Sequence, residues 1–165
     1  MKAVAPINHK VLTLVDLQRQ VAAWKALGKT VAFTNGCFDI LHEGHIFSLS
    51  AAAQEADYLI VAVNSDSSVK QLKGPDRPIN NQTSRSLLLS HLALVDAVVI
   101  FEEPTPLETI KALLPDVIIK GGDYTVDQIV GAKEVIAVGG RVVINPIVPG
   151  FSTSGIIQHI KSSYS

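Results

Sequence analysis

Cysteine is nearly absent from these 165 residues: the single Cys37 excludes an internal disulfide and leaves no cysteine spacing for zinc. That fits a reducing cytoplasm. Excess charge of either sign is missing too, with 14 Lys and Arg against 15 Asp and Glu for a formal net charge of -1, so no overall field draws the protein to nucleic acid or to an anionic membrane. Any anionic ligand must be held by local groups. No apolar run approaches the roughly 20 residues that span a bilayer. Met1 to Val11 lacks the cationic start and apolar core of an export signal. Aromatics make up 5% and show no stacking series for single-stranded nucleic acid. Repeats, linkers and low-complexity segments are absent. So are a Gly-x-x-x-x-Gly-Lys-Ser/Thr loop and a Gly-x-Gly-x-x-Gly loop, which Gly121-Gly122 does not complete; a phosphate-loop kinase and a usual dinucleotide dehydrogenase lose ground. The expectation is one soluble, cytoplasmic domain over 1–165, with 1–12 as an N-terminal tail.

What is present alternates between two periods. Leu14, Leu17, Val21, Trp24 and Leu27 recur at helical spacing after Thr13, an N-cap residue, and stop at Gly28. Thr30 to Thr34 then reads as a short buried strand, and a helix begins near His42 with Ile46, Leu49 and Ala53 on its inner face. Tyr58 to Val63 is a second strand, ending in Asn64-Ser65-Asp66-Ser67-Ser68. Lys70 to Asn81, punctuated by Gly74, Pro75 and Pro78, reads as a mobile surface loop. Thr83 caps a helix through Leu94, and Ala97 to Phe101 follows as a strand. A helix from Pro106 to Leu114, a strand from Val117 to Ile119, a helix from Ala132 to Val138, a strand from Arg141 to Ile144 and a last helix from Gly155 complete the order. This alternation predicts an α/β fold: a Rossmann-like parallel sheet of about five strands with helices on both faces.

On such a sheet the loops leaving the strands meet at one edge, where ligands bind. The loop Asn35-Gly36-Cys37-Phe38-Asp39-Ile40-Leu41-His42-Glu43-Gly44-His45 places two imidazoles three residues apart at a helix start, a setting for an anion. As a metal pair, His42 and His45 lack a third ligand, so no protein metal site is expected. Oriented donors there suit a phosphate whose charge grows in a transition state. If a phosphate oxygen attacks, it is already ionised and needs no general base. Nucleotidyl transfer meets this description, with Lys73, Arg77, Arg85 and Lys120 as counter-charges and Mg²⁺ bridging oxygens of the leaving group. Other roles stay open. Asp39 either clamps its own loop or meets a ligand, and Lys73 and Arg77 are either solvated charges or part of a flap. Lys120-Gly121-Gly122-Asp123 is a tight turn or a phosphate partner, and Ser152-Thr153-Ser154 caps the last helix in either case. His9, His91 and His159 have no comparable context.

The stretch from Gly36 to His45 resembles the His-x-Gly-His signature of the nucleotidyltransferase superfamily, in its cytidylyltransferase-like branch. Together with Asn64-Ser65-Asp66, Leu72-Lys73-Gly74, Arg77-Pro78, Lys120 to Tyr124 and Ser152 to Ser154, it is similar to the adenylyltransferases of ADP-heptose synthesis over nearly the whole chain. The resemblance implies that His42 and His45 contact ATP phosphates and stabilise the transition state, with Asn35, Gly36, Cys37, Phe38 and Gly44 lining the nucleotide. It implies Arg85 on the phosphates and Ser152, Thr153 and Ser154 at a triphosphate-facing helix start. Lys120, Gly121 and Asp123 fall near the nucleotide, and Asp39, Asn64, Asp66, Lys73 and Arg77 near the acceptor, with Lys73 and Arg85 also catalytic. Ser84 departs from the acidic residue common before this arginine. The implied reaction joins AMP from ATP to a heptose 1-phosphate, for lipopolysaccharide core or a related glycan, in a homodimer or higher homo-oligomer. A kinase, often fused in the family, would be a separate protein here. The alternatives are a cytidylyltransferase acting on glycerol 3-phosphate or another polyol phosphate, and a non-catalytic nucleotide-binding module.

Overall fold

The computed structural model describes residues 8–146 and 150–163. Five parallel strands, β1 (Val31–Gly36), β2 (Tyr58–Asn64), β3 (Ala97–Phe101), β4 (Val117–Gly121) and β5 (Arg141–Asn145), form one sheet in the order β3-β2-β1-β4-β5. The helices are α1 (Leu14–Ala26), α2 (Glu43–Ala53), α3 (Asp66–Lys73), α4 (Gln82–Ser90), α5 (Leu107–Leu113), α6 (Ala132–Ala137) and α7 (Thr153–Ser163). A 3-10 turn, Val126–Gln128, which the sequence did not suggest, precedes α6.

Successive strand residues face opposite sides, so each side of the sheet buries its own apolar cluster. Val31, Phe33, Ile60, Ala62, Val99 and Ile118 pack under Leu17, Val21 and Trp24 of α1, Ile110 of α5 and Val135 of α6. Ala32, Leu59, Val61, Val63, Val98 and Ile119 pack under Leu49 and Ala52 of α2 and Leu89 of α4. Trp24 stacks on Tyr58 with ring centroids 4.1 Å apart. Carboxylates secure the amino edge of the sheet: Asp57, Asp116 and Asp96 accept from the N–H groups of Thr30, Val31 and Leu59 at 2.8 to 2.9 Å. The carboxyl edge is left for the loops. Because the chain builds outward from β1 through β2 to β3 and then returns to β4 on the other side, the loops after β1 and β4 diverge over a crevice, the usual ligand position of such sheets.

Several local expectations change. Residues 1–7 lie outside the described residues, but 10–12 are no loose tail: Lys10 O and Val98 N, and Leu12 N and Val98 O, hydrogen-bond at 2.8 and 2.9 Å along β3. Lys70 to Lys73 is helical, closing α3, and irregular chain begins only at Gly74. Asn81, not Thr83, caps α4, its side chain accepting from Ser84 N at 2.9 Å, and α4 ends at Ser90 rather than Leu94. Ile46 is exposed while Leu49 and Ala52 are buried, because the inner face of α2 is set by its crossing over the sheet. Among the described residues no helix is long and apolar enough to cross a membrane.

Candidate active site

β1 ends at Gly36, and the chain must then turn before α2. Phe38 makes that turn in a left-handed conformation, φ 48°, with its ring buried and 5.3 Å from that of His45. A non-glycine residue held there is strained, by about 1–3 kcal/mol, and such strain gathers at functional loops. His42 precedes α2 and His45 lies in its first turn, with the two rings stacked 3.8 Å apart. The His42 N–H donates to His45 Nδ1 at 3.4 Å. A neutral His45 ring with Nδ1 accepting carries its proton on Nε2. Burial, with the neighbouring His42 adding to it, pushes the His45 pKa down to about 4, and burial lowers that of His42. His42 Nδ1 is buried with no hydrogen-bond partner among the described residues. Gly44 permits this packing: a Cβ there would stand 2.9 Å from Phe151 Cβ and 3.1 Å from His42 Nδ1.

Two of three adjoining cavities meet at the pair, and the other opens off the first of them through Cys37 and Lys73. The first, about 390 Å³, is lined by Cys37, Phe38, Asp39, His42, His45, Lys73, Arg77 and Phe151 to Ser154. Two helix starts converge on it, α2 and α7, and the Ser152 hydroxyl caps α7 by accepting from Gly155 N at 3.0 Å. Free helix N–H groups, two imidazoles and two cations in one chamber are suited to an anion of several charges. The second, about 380 Å³, shares Cys37 and Lys73 with the first and adds Asn35, Gly36, Asn64, Lys120, Tyr124 and Val130. Lys120 Nζ donates to Asn35 Oδ1 at 3.3 Å, and burial lowers its pKa. The third, about 290 Å³, shares His42, His45 and Phe151 with the first and adds Gly44, Phe47, Ser48, Gly121, Asn145 and Pro146.

Three residues expected to meet a ligand bond to their own chain in this structure. Arg85 has no exposed surface; its guanidinium donates to Cys37 O at 2.5 Å, Asn64 O at 2.7 Å, Asp66 Oδ1 at 2.8 Å and Asn80 O at 3.0 Å. It is a strut joining the ends of β1 and β2 to the loop before α4. Asp66 is its partner and lines none of the three cavities. Asp39 takes the loop-clamp alternative: its carboxylate accepts from Arg77 Nε at 2.6 Å, Ile79 N at 2.8 Å and Asn80 N at 2.9 Å. Burial alone would raise its pKa, but the Asn80 and Ile79 N–H groups and Arg77 outweigh that and lower it. Asp39 thus holds Arg77 at the chamber wall. Asn64, at the second cavity, bonds Ser68 Oγ at 3.0 Å, and Asp123 lines none of the three. Among the described residues no group of three or more His, Cys, Asp or Glu is placed to hold a metal ion.

The sequence model described as cytidylyltransferase-like matches residues 33–159, which takes in the crevice and all three cavities. The chain belongs to the cytidylyltransferase-like family. It is a nucleotidyltransferase. Among curated relatives, the bifunctional protein HldE of Mesorhizobium japonicum is 53% identical over 159 residues, covering 95% of this chain and 32% of that protein. HldE of Hyphomonas neptunium is 56% identical over 158 residues with the same shares. The chain therefore spans about a third of the length of these relatives. A solved structure described as the lipopolysaccharide core biosynthesis protein from Thermoplasma volcanium GSS1 is 31% identical, with a TM-score of 0.59 over 73% of this chain and 98% of that one. Pantoate-β-alanine ligase from Francisella tularensis, at 13% identity and a TM-score of 0.58 over 92% of this chain and 76% of that one, shares the fold. For a cytidylyltransferase-like site, the sequence signature marks the chamber around His42 and His45. It does not mark Phe47, Phe151 or Asn145, which wall the third cavity and belong to no recognisable pattern.

Proposed function

We propose that the protein transfers AMP from ATP to D-glycero-β-D-manno-heptose 1-phosphate, giving ADP-heptose and pyrophosphate. The observation that carries the reaction type is the His42 and His45 pair between two helix starts, with a cavity on either side of the chamber it lines. The sugar is argued from likeness to the HldE proteins and to the lipopolysaccharide core protein, and from the Lys120 to Tyr124 loop beside the second cavity. In this reading the triphosphate lies in the first cavity, the nucleoside in the third and the sugar phosphate in the second.

An oxygen of the sugar phosphate, ionised at neutral pH, attacks the α-phosphorus; the new P–O bond forms as the bond to the bridging oxygen of pyrophosphate breaks. No proton has to be removed first. His42 and His45, neutral by virtue of burial, offer N–H donors to oxygens whose charge grows in the transition state. Lys73 lines both the triphosphate and acceptor cavities and screens the two approaching phosphates from each other, while Arg77 faces the triphosphate alone. Lys120 and Asn35 meet the acceptor side, and Ser152 to Ser154 present the start of α7 to the β- and γ-phosphates. The carboxylate nearest the chamber, Asp39, is already fully engaged, so a Mg²⁺ would be carried by phosphate oxygens and water. When bound, it supplies charge neutralisation to the leaving pyrophosphate.

Pyrophosphate release from ATP and from CTP, each crossed with heptose 1-phosphate and glycerol 3-phosphate, tests this. Release is expected with ATP and the heptose. Activity confined to CTP and the polyol phosphate overturns the assignment, and nucleotide binding without release from any pair marks a non-catalytic module.

The imidazoles give a second test. In imidazole ¹H–¹⁵N spectra of the free protein, His45 is expected to titrate near pH 4, and to titrate higher with ATP bound because a phosphate anion favours the imidazolium. The sign for stability follows: between pH 6.5 and about 4 the unfolded ring takes up a proton that the folded ring refuses. Stability falls as pH falls through that window.

A further inference from the structure

The carboxamide of Asn145 takes no part in the chemistry above. Asn145 ends β5 in register with Gly121 of β4, and its carbonyl accepts the Gly122 N–H at 3.1 Å. The backbone is anchored, but the side chain is not. It is 8% exposed, and Nδ2 has no hydrogen-bond partner among the described residues. Buried amides are nearly always paired, and an apolar residue of similar size would fill this position without an orphaned donor. Nδ2 itself is closed to solvent, so the amide meets a ligand by turning into the cavity that Asn145 lines, and a ligand there would complete it.

The cavity says which ligand. Around Asn145 stand Pro146 and the rings of Phe47 and Phe151, whose centroids are 6.5 Å apart with planes inclined at 47°. A flat heteroaromatic ring gains from such apolar and aromatic walls and needs a polar partner only along its edge. His42, Gly44 and His45 line the same cavity, and both histidines also face the chamber assigned to the triphosphate, so a base here is joined to its phosphates by the length of one ribose.

We propose that Asn145 reads the adenine of the bound nucleotide, accepting from the exocyclic amine through Oδ1 and donating to the adjacent ring nitrogen through Nδ2. A carboxamide presents a donor beside an acceptor, the pairing that asparagine makes with adenine elsewhere. This rests on the ATP reading above and extends it by naming the group that selects the base.

The experiment is calorimetric titration of ATP and of purine riboside 5′-triphosphate, which has hydrogen in place of the amine, into the wild type, Asn145→Leu and Asn145→Asp, without acceptor. The wild type is expected to prefer ATP by about tenfold or more, as for loss of one buried hydrogen bond. Asn145→Leu reduces that preference to near one. Asn145→Asp keeps an acceptor for the amine but opposes the ring nitrogen, so both nucleotides weaken while the preference survives. On the wild type alone, the Asn145 side-chain NH₂ signals are expected to shift when ATP is added. Equal weakening of both nucleotides in Asn145→Leu, with the preference intact, overturns the proposal, as does a wild type that binds both alike or NH₂ signals that stay in place. Failure of the wild type to bind ATP at all overturns the ATP reading with it, whereas ATP binding with an intact preference in Asn145→Leu overturns the Asn145 role alone.

Discussion

His45→Ala is expected to lower kcat by roughly two to three orders of magnitude, the loss seen when one preorganised donor to a developing oxyanion is removed. ATP affinity is expected to fall less than about tenfold, because the triphosphate keeps the starts of α2 and α7 and the charges of Lys73 and Arg77. The same split is expected for His42→Ala. In the proposed mechanism the low basicity of the two imidazoles is what would make them selective for the transition state. Held neutral by burial, they attract a ground-state phosphate only as hydrogen-bond donors, and their contribution grows with the charge on the oxygens they face. The two substitutions are not expected to be additive, since the rings stack at 3.8 Å and His42 N–H orients the His45 ring. Steady-state kinetics with a separate measurement of ATP binding checks this; equal losses in kcat and affinity would remove the transition-state role.

The second large effect is on folding. Arg85→Ala is expected to destabilise the protein by about 3–5 kcal/mol, the cost of breaking a buried ion pair and leaving its acceptors without donors. Three backbone carbonyls and the Asp66 carboxylate share this guanidinium, and they come from the loop just after β1, from β2, from α3 and from the loop before α4. Arg85→Lys is expected to recover little, because one ammonium cannot reproduce a planar fork that serves four acceptors. Urea denaturation measures the loss directly. A phosphate-binding arginine would give the opposite pattern: little change in stability, a large rise in the KM for ATP and partial rescue by lysine.

The contrast between His42 and Arg85 shows how far the residues speak for themselves. His42, Gly44 and His45 act within one turn of helix, so their spacing already carries their geometry, and the strand before them supplies the direction. Thr13 and Gly28 bound α1 for the same reason: caps are local. Arg85 reaches partners at Cys37, Asn64 and Asp66, which only the sheet brings near it, and a cation before assembly looks the same whether it will meet a phosphate or four oxygens of its own chain. Asp39 was legible as one of two alternatives, because turn residues bond nearby N–H groups. The N–H groups it chose are those of Ile79 and Asn80, forty positions on. Asn145 could not be singled out at all, since an asparagine at a strand end is ordinary until its amide is found buried and unpaired.

Alternating periods, in-line caps and the His-x-Gly-His loop by themselves determined the α/β class, the parallel sheet and the kind of chemistry at its carboxyl edge, because each depends on residues close together in the chain. The strand order, the two cavities at the histidine pair with a third beside them, and the engagement of Arg85 and Asp39 with their own chain were decided only in the tertiary structure. A charge or an amide takes its role from the partners that burial leaves to it, and burial is a property of the assembled sheet and its helices.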